Sequence, residues 1–202
     1  MEDTALLTDD EIVALCAVDG RPWPIGLTTV EPTAEELAWA GMRGLRSLMV
    51  RRLAGTDAEA PGVRPHQLIA RDVAAFLDAT ERIGAYIAPV EDPDTIGGAT
   101  VTAARAAEGW IVDTATAAGV HALRGATDTE AADAVLGLAE KAYGGQLFTD
   151  PAEADRWVCV VRFGVGAGNV VVLGPGSASG TVDGAATTRW DPAALRRAFE
   201  SR

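Results

Sequence analysis

The sequence contains few of the residues that build metal centres and nucleophilic active sites. Its 202 residues include only two cysteines and two histidines. His66 and His121 have no HxxxH or HxxE partner, whereas metal sites need three or four ligands at recognisable spacing. Cys16 and Cys159 each lie in an apolar run without a CxxC partner, so we expect buried free thiols. Serine is scarce and never stands in a GxSxG elbow. We therefore predict no catalytic residues, no metal and no cofactor.

Positive charge and long apolar runs are also scarce. The net charge is −12, and Lys141 is the single lysine. Because nucleic-acid binding relies on lysine and arginine to neutralise phosphates, this balance argues against it. No apolar run approaches the ~20 residues that cross a bilayer, and the opening MEDTALLTDDE is too acidic for a secretory signal. We expect a cytoplasmic protein that binds neither nucleic acid nor membrane.

Two patterns that resemble ligand sites have simpler explanations. The run from Gly164 to Gly168 is rich in glycine, as phosphate-binding loops are. A dinucleotide fingerprint needs a helix after its glycines, but Val170–Leu173 predicts a strand, so we interpret the run as a hairpin loop. Paired acidic residues such as Asp9/Asp10 and Asp128/Glu130 coincide with predicted helix starts, where the helix dipole favours them.

The periodicity of the remaining sequence predicts an α+β fold with a mainly antiparallel sheet. Helices are expected near residues 9–18, 34–53, 66–81, 128–143 and 192–199. Sheet strands are expected within about residues 83–124 and 157–190. The segments from Ile83 to Tyr143 and from Trp157 to Phe199 each have the order strand, strand, strand, strand, helix, which predicts two pseudo-repeated halves with flanking helices. We expect one domain over residues 1–202, with possible halves 1–145 and 146–202.

The first quarter of the chain gives more detailed expectations. Thr8 and Glu11 have the spacing of a capping box, with Thr8 as the N-cap. This predicts a helical segment from Leu6 to Val18. Pro24–Val30 is expected to be extended, and residues 55–65 to form a flexible acidic loop. Gly41 and Gly44 lie inside the second helix, where glycine is unfavourable, so we expect another element to approach its backbone closely.

The strand Trp157–Phe163 suggests a candidate binding surface. One face carries alternating large apolar residues and should belong to the core. The opposite face carries Arg162 between valines, and a neighbouring hairpin places Asp113 and His121 on a similar mixed face. If the two faces join, Asp113, His121 and Arg162 form a partner-binding patch with an Asp113–Arg162 pair. The alternative is that helices cover this face as well.

Two segments resemble the opening of the EspG family, the cytosolic chaperones of actinobacterial type VII (ESX) secretion. They are LTDDEIVALCAVDGRPWPIGL (Leu7–Leu27) and AWAGMRGLRSLMVRRL (Ala38–Leu53), the second with an RGL core at Arg43-Gly44-Leu45. The resemblance implies an α+β fold around an antiparallel sheet. It also implies a non-enzymatic role, the capture of an aggregation-prone secreted protein and its delivery to the export machinery.

Other functional classes remain open at this point. One is a small enzyme whose site is assembled from dispersed residues; a deep pocket with converging polar groups would favour it. Another is a structural or regulatory subunit whose acidic surface meets a basic partner. A broad apolar surface would favour the binding protein. A homodimer is an additional possibility for the assembly.

Overall fold

The computed structural model describes residues 5–56, 62–144, 146–147, 150, 154–163, 169–174, 181–182 and 185–200. The helices of this part are α1 (Asp9–Asp19), α2 (Ala34–Val50), α3 (Gln67–Asp78), α4 (Asp128–Tyr143) and α5 (Pro192–Glu200). The strands are β1 (Ala5–Thr8), β2 (Ala54–Thr56), β3 (Val63–Pro65), β4 (Arg82–Pro89), β5 (Thr100–Arg105), β6 (Trp110–Ala115), β7 (Val120–Ala126), β8 (Trp157–Phe163), β9 (Asn169–Leu173), β10 (Thr181–Val182) and β11 (Ala185–Ala186). The α+β prediction is confirmed.

Seven strands form one antiparallel sheet in the order β1-β7-β6-β5-β4-β8-β9. The predicted element order of the two halves is confirmed, with four strands and then a helix in each. The halves differ in pairing, however, because within the described residues β10 and β11 form a separate two-stranded sheet. The residues between β8 and β9, including the Gly164–Gly168 run, lie outside the described residues. The antiparallel pairing of the two flanking strands is that of a hairpin.

Each face of the sheet packs against its own set of helices. On one face, α4 and α5 cover a core that includes Ile83, Val112 and Val161. On the other, α1 and α3 cover the end of the sheet formed by β1, β7 and β6, where Leu7 and Leu123 are buried, and α2 packs on α1. Side chains alternate between faces along a strand. Burial on both faces explains why β8 and β9 are apolar at most positions.

Local capping signals place the helix starts as predicted. Thr8 accepts a hydrogen bond from the Glu11 backbone and Glu11 reaches back to the Thr8 N–H, which completes the capping box. The preceding residues were assigned to the helical segment, but they form β1, which pairs with β7. A strand of four residues is too short to show a periodic pattern. Its pairing partner lies more than 100 residues away, so no local signal indicates it.

Three other boundaries differ from the prediction. Helix α2 ends at Val50 because Arg52 takes a positive φ of 59° and reverses the chain. The predicted extended segment Pro24–Val30 contains no strand and instead wraps beside α1 and α2. The ends of the expected flexible loop form the antiparallel pair of β2 and β3, and residues 57–61 between them lie outside the described part.

The close approach predicted for the second helix is confirmed at one of its two glycines. A Cβ on Gly44 would collide with the backbone carbonyl of Asp10 in α1. At Gly41 an added Cβ would make an ordinary contact, 3.7 Å from Val13 Cγ1. Helices α1 and α2 therefore touch backbone to backbone at Gly44.

Candidate functional site

A buried ionic cluster joins the first helix to the sheet. His121 on β7 lies between Asp113 on β6 and Asp9, the first residue of α1. Its Nδ1 is 2.9 Å from Asp113 Oδ2, and its Nε2 is 2.7 Å from Asp9 Oδ1. The side chains of all three residues are at most 3% exposed. Asp9 Oδ2 also accepts hydrogen bonds from the Thr29 backbone and hydroxyl, both at 2.7 Å.

The cluster holds its histidine in the charged form. Burial disfavours an imidazolium ion, but the hydrogen bonds to Asp113 and Asp9 outweigh this and raise the pKa of His121 to about 9. Burial likewise acts to raise the pKa of Asp9, but the hydrogen bonds from His121 and Thr29 prevail and hold it below its usual value. Both ring nitrogens therefore donate at neutral pH, each to a carboxylate. Since the cluster is enclosed in this conformation, its role is structural: it connects α1 to the sheet.

The predicted patch does not form as an open surface. Asp113 and His121 are buried, and Val158 and Val160 on the expected outer face are at most 3% exposed. Asp113 and Arg162 do not pair, because β5 and β4 separate their strands. Three strand spacings amount to about 14 Å. The alternative of a covered face is correct at β6 and β7. A role of these three residues in partner binding stays a prediction.

A second buried carboxylate joins α1 to α2. Glu11 is fully buried, and its Oε2 accepts from Arg51 Nη1 at 2.6 Å while its Oε1 accepts from the Ser47 hydroxyl at 2.7 Å. Arg51 also donates to the Leu6 carbonyl at 2.7 Å. The capping pattern accounted for Glu11, but no local signal indicated that its carboxylate also binds a helix 40 residues later.

An apolar groove runs beside these buried ions, between α1, the segment after it and the start of α2. Its volume is about 600 Å³. Most of its lining is apolar, and Arg21 is the one charged residue among its described lining residues. The lining residues are Val13, Cys16, Ala17, Gly20, Arg21, Pro22, Trp23, Ile25, Gly26, Leu27, Val30, Pro32, Leu37 and Ala38. We call this feature the α1–α2 groove.

The outer face of α2, beside the groove, exposes further apolar residues together with Arg43 and Arg46. Leu37 and Ala38 line the groove, and the next residue, Trp39, is 54% exposed. Farther along the same helix Met42 and Val50 are also exposed, as is Met49. These side chains lie opposite the buried positions of the helix, as its period of 3.6 residues requires. We call Trp39, Met42, Met49 and Val50 the α2 outer face.

This surface could have been found from the sequence. A helix that packs on one side usually carries polar residues on the other, but α2 also exposes Trp39, Met42 and Val50 among the charged residues of that side. Leucines such as Leu45 and Leu48 define one side of the helix, and arginines such as Arg43 and Arg46 occupy much of the remainder, so the apolar residues among them are easily missed. A surface of Trp and Met is typical of interfaces, since these residues are enriched there relative to other protein surface.

Arg162 lies at a separate pocket on the same side of the sheet as the buried His121 cluster. The pocket has a volume of about 330 Å³ and includes Arg82 on the neighbouring strand and Tyr86. Arg162 Nη2 donates to the Tyr86 hydroxyl at 3.2 Å. Of the three predicted site residues, Arg162 is the one placed at a pocket, and the structure separates it from the other two.

The two cysteines and the second histidine, His66, do not contribute to a candidate site. Cys16 and Cys159 are buried free thiols, as predicted, and burial raises the pKa of each to about 12. His66 is an exposed residue just before α3. Within the described residues, no group of three or more His, Cys, Asp or Glu side chains is placed to hold a metal ion. Nor is any helix of that part long and apolar enough to cross a bilayer.

Comparisons with known proteins assign no family. No protein-family model matches the chain, and no curated protein matches it.

Proposed function

We propose that the protein is a non-enzymatic binding protein that captures an apolar helical segment of a protein partner. The binding surface is the α1–α2 groove together with the α2 outer face. The observation that carries the proposal is the exposure of Trp39 and Met42, at 54% and 55%, next to a groove of about 600 Å³. Large apolar side chains exposed beside an apolar groove are a mark of a protein-binding site.

The shape and chemistry of this surface suit a helix better than a polar ligand. An amphipathic helix binds by inserting anchors at positions i, i+3 and i+7 into an apolar groove. Methionine side chains adapt to different shapes, and Trp39 supplies a large anchor of the type that dominates binding energy. Arg21 at the groove already pairs with Asp19 and Asp78, which leaves the apolar lining as the main attraction.

The resemblance to EspG-family chaperones gives the partner a class. Its quoted segments, Leu7–Leu27 and Ala38–Leu53, contain most of the groove residues and the α2 outer face. We propose a cytoplasmic adaptor for type VII secretion, with a secreted protein of the WXG or PPE type as its partner. Covering an apolar segment of that protein would prevent aggregation before export.

The test is co-expression of the chain with a WXG- or PPE-like protein encoded beside it, followed by affinity measurement. Trp39→Glu should weaken binding by about 30-fold or more, because truncating a central Trp anchor costs about 2 kcal/mol or more. Since Trp39 is about half exposed, the melting temperature should change little. Val90→Glu is the matched control, because Val90 is an exposed apolar residue outside the groove, and this variant should bind normally.

Two results would contradict the proposal. One is equal binding by the Trp39→Glu protein and the control. The other is a homodimer that Trp39→Glu dissociates, as measured by light scattering, because the groove would then be occupied by a second copy of this chain.

A further inference from the structure

A cationic pocket lies on the sheet between the helices that cover β6 and β7 and the apolar cluster on β8 and β9. Its floor includes Gly84 on β4 and Thr102 on β5, which are paired in register. A Cβ on Gly84 would approach both the Thr102 hydroxyl and the Val101 carbonyl to 3.0 Å, so glycine keeps this part of the floor flat. The pocket volume of about 330 Å³ falls within the range of small-ligand sites.

Two arginines lie together at this pocket in a protein whose net charge is −12. Arg162 stands opposite Gly84 in the register, and Arg82 is two residues before Gly84 on the same face. They are therefore diagonal neighbours, about 7–8 Å apart at the backbone. Like charges this close on a sheet repel each other, and an anion bound between them would relieve the repulsion.

Both side chains are held by neighbouring groups. Arg82 Nη2 donates to the Phe76 and Leu77 carbonyls at 2.7 and 3.3 Å. Its Nε is buried and makes no hydrogen bond within the described part of the chain. A buried donor without an acceptor is costly. Arg162 lies 5.8 Å from the centre of the Tyr86 ring and bonds to its hydroxyl, so a ligand would meet a guanidinium already partly ordered.

We propose that this pocket binds a small organic anion, with its carboxylate or phosphate group between Arg82 and Arg162. A guanidinium matches the planar, two-oxygen edge of both groups. Ile25 and Ile96 in the lining would contact an apolar ring or chain of the ligand. Asp94 also lines the pocket and is exposed; its charge sets a limit on the affinity. The proposal does not rest on the α1–α2 groove function, although Ile25 and Gly26 line both pockets.

Calorimetric titration with four probes tests the proposal. Benzoate and phenyl phosphate carry the two head groups, inorganic phosphate supplies the anion alone, and benzyl alcohol supplies the ring alone. Saturable binding of benzoate or phenyl phosphate at one site, tighter than that of inorganic phosphate or benzyl alcohol, supports the proposal. The better of the two head groups distinguishes a carboxylate ligand from a phosphate ligand. No saturable binding of either aromatic anion up to about 1 mM, or equally tight binding of inorganic phosphate, overturns it.

Variants locate the site. Arg162→Gln removes one charge, and Arg82→Lys keeps the charge but loses the two-pronged geometry. Each should weaken binding at least about tenfold, as expected for loss of a charge-assisted hydrogen bond. Asp94→Asn should tighten binding severalfold. Arg196→Gln is the matched control, because Arg196 is exposed on α5 and pairs with Asp133 away from the pocket, and it should not alter affinity. Unchanged binding in both pocket-arginine variants overturns the proposal.

Discussion

Raising the pH from 6 to 8.5 should destabilise the protein by removing the proton of His121. Its pKa is raised in the folded protein to about 9 from 6.5, so the folded state holds the proton more tightly than the unfolded chain. The stabilisation is fully present below pH 6.5 and declines as the pH rises through 9. For this pair of pKa values the loss between pH 6 and 8.5 is about 2 kcal/mol. Stopping at pH 8.5 limits the contribution of the buried thiols.

The assay is thermal unfolding across this pH range, combined with nitrogen-15 NMR of the histidine rings. For a chain of this size a loss of about 2 kcal/mol lowers the melting temperature by about 4–8 °C. Asp113→Asn removes one of the two carboxylates that raise the pKa of His121 and keeps the side-chain shape. The pH dependence should therefore become shallower in this variant. His66→Gln identifies the second histidine signal and serves as the exposed control.

The reasoning would be refuted by a neutral His121 ring at pH 7 in the folded protein. An unchanged pH dependence in Asp113→Asn would refute it equally, because the Asp113 carboxylate would then make no contribution to the raised pKa of His121. At the acidic end the sign reverses. The pKa of Asp9 is lowered by folding, so its stabilisation is present above about pH 4 and is lost as the pH falls through the folded value.

Two further predictions concern the contact between α1 and α2. Gly44→Ala should destabilise the protein by about 1–3 kcal/mol, because its Cβ meets the Asp10 carbonyl and the helices must separate; Gly41→Ala, which has room, should be neutral or stabilise by up to about 1 kcal/mol. Equal urea midpoints for the two variants would contradict the backbone contact. Arg51→Met should cost about 1–3 kcal/mol, because the buried Glu11 carboxylate loses its cation, and a urea midpoint equal to that of the unmodified protein would contradict this.

Local sequence signals predicted most of the fold. Thr8, Thr33 and Thr127 each accept from the backbone three residues on, so their helix starts could be predicted within a few residues. Alternation along Trp157–Phe163 predicted the core face correctly. Capping and alternation depend on residues a few positions apart. They can therefore be recognised without knowledge of the rest of the chain.

The candidate sites depended on contacts that no local pattern records. His121 and Asp9 are 112 residues apart, and their ionic contact requires the α1 start to meet β7. The same holds for the Arg82–Arg162 pocket, whose geometry follows from β4 lying next to β8. The α2 outer face is different. The sequence shows that Trp39, Met42, Met49 and Val50 are apolar. Periodicity alone does not show that they face solvent, because this depends on how the helix packs.

The pairing of β1 with β7 delays the folding of the first strand until β7 has been synthesised. Leu7 pairs with His121, so the ribosome must add 114 residues before the first of these strands has a partner. At about 5–20 residues per second this takes about 6–23 s. During that interval α1 can pack against α2 but not against the sheet, because β7 and its His121 imidazole have not been made. The nascent chain therefore carries its own aggregation hazard until β7 has been made, and any slowing of translation between β3 and β7 prolongs it.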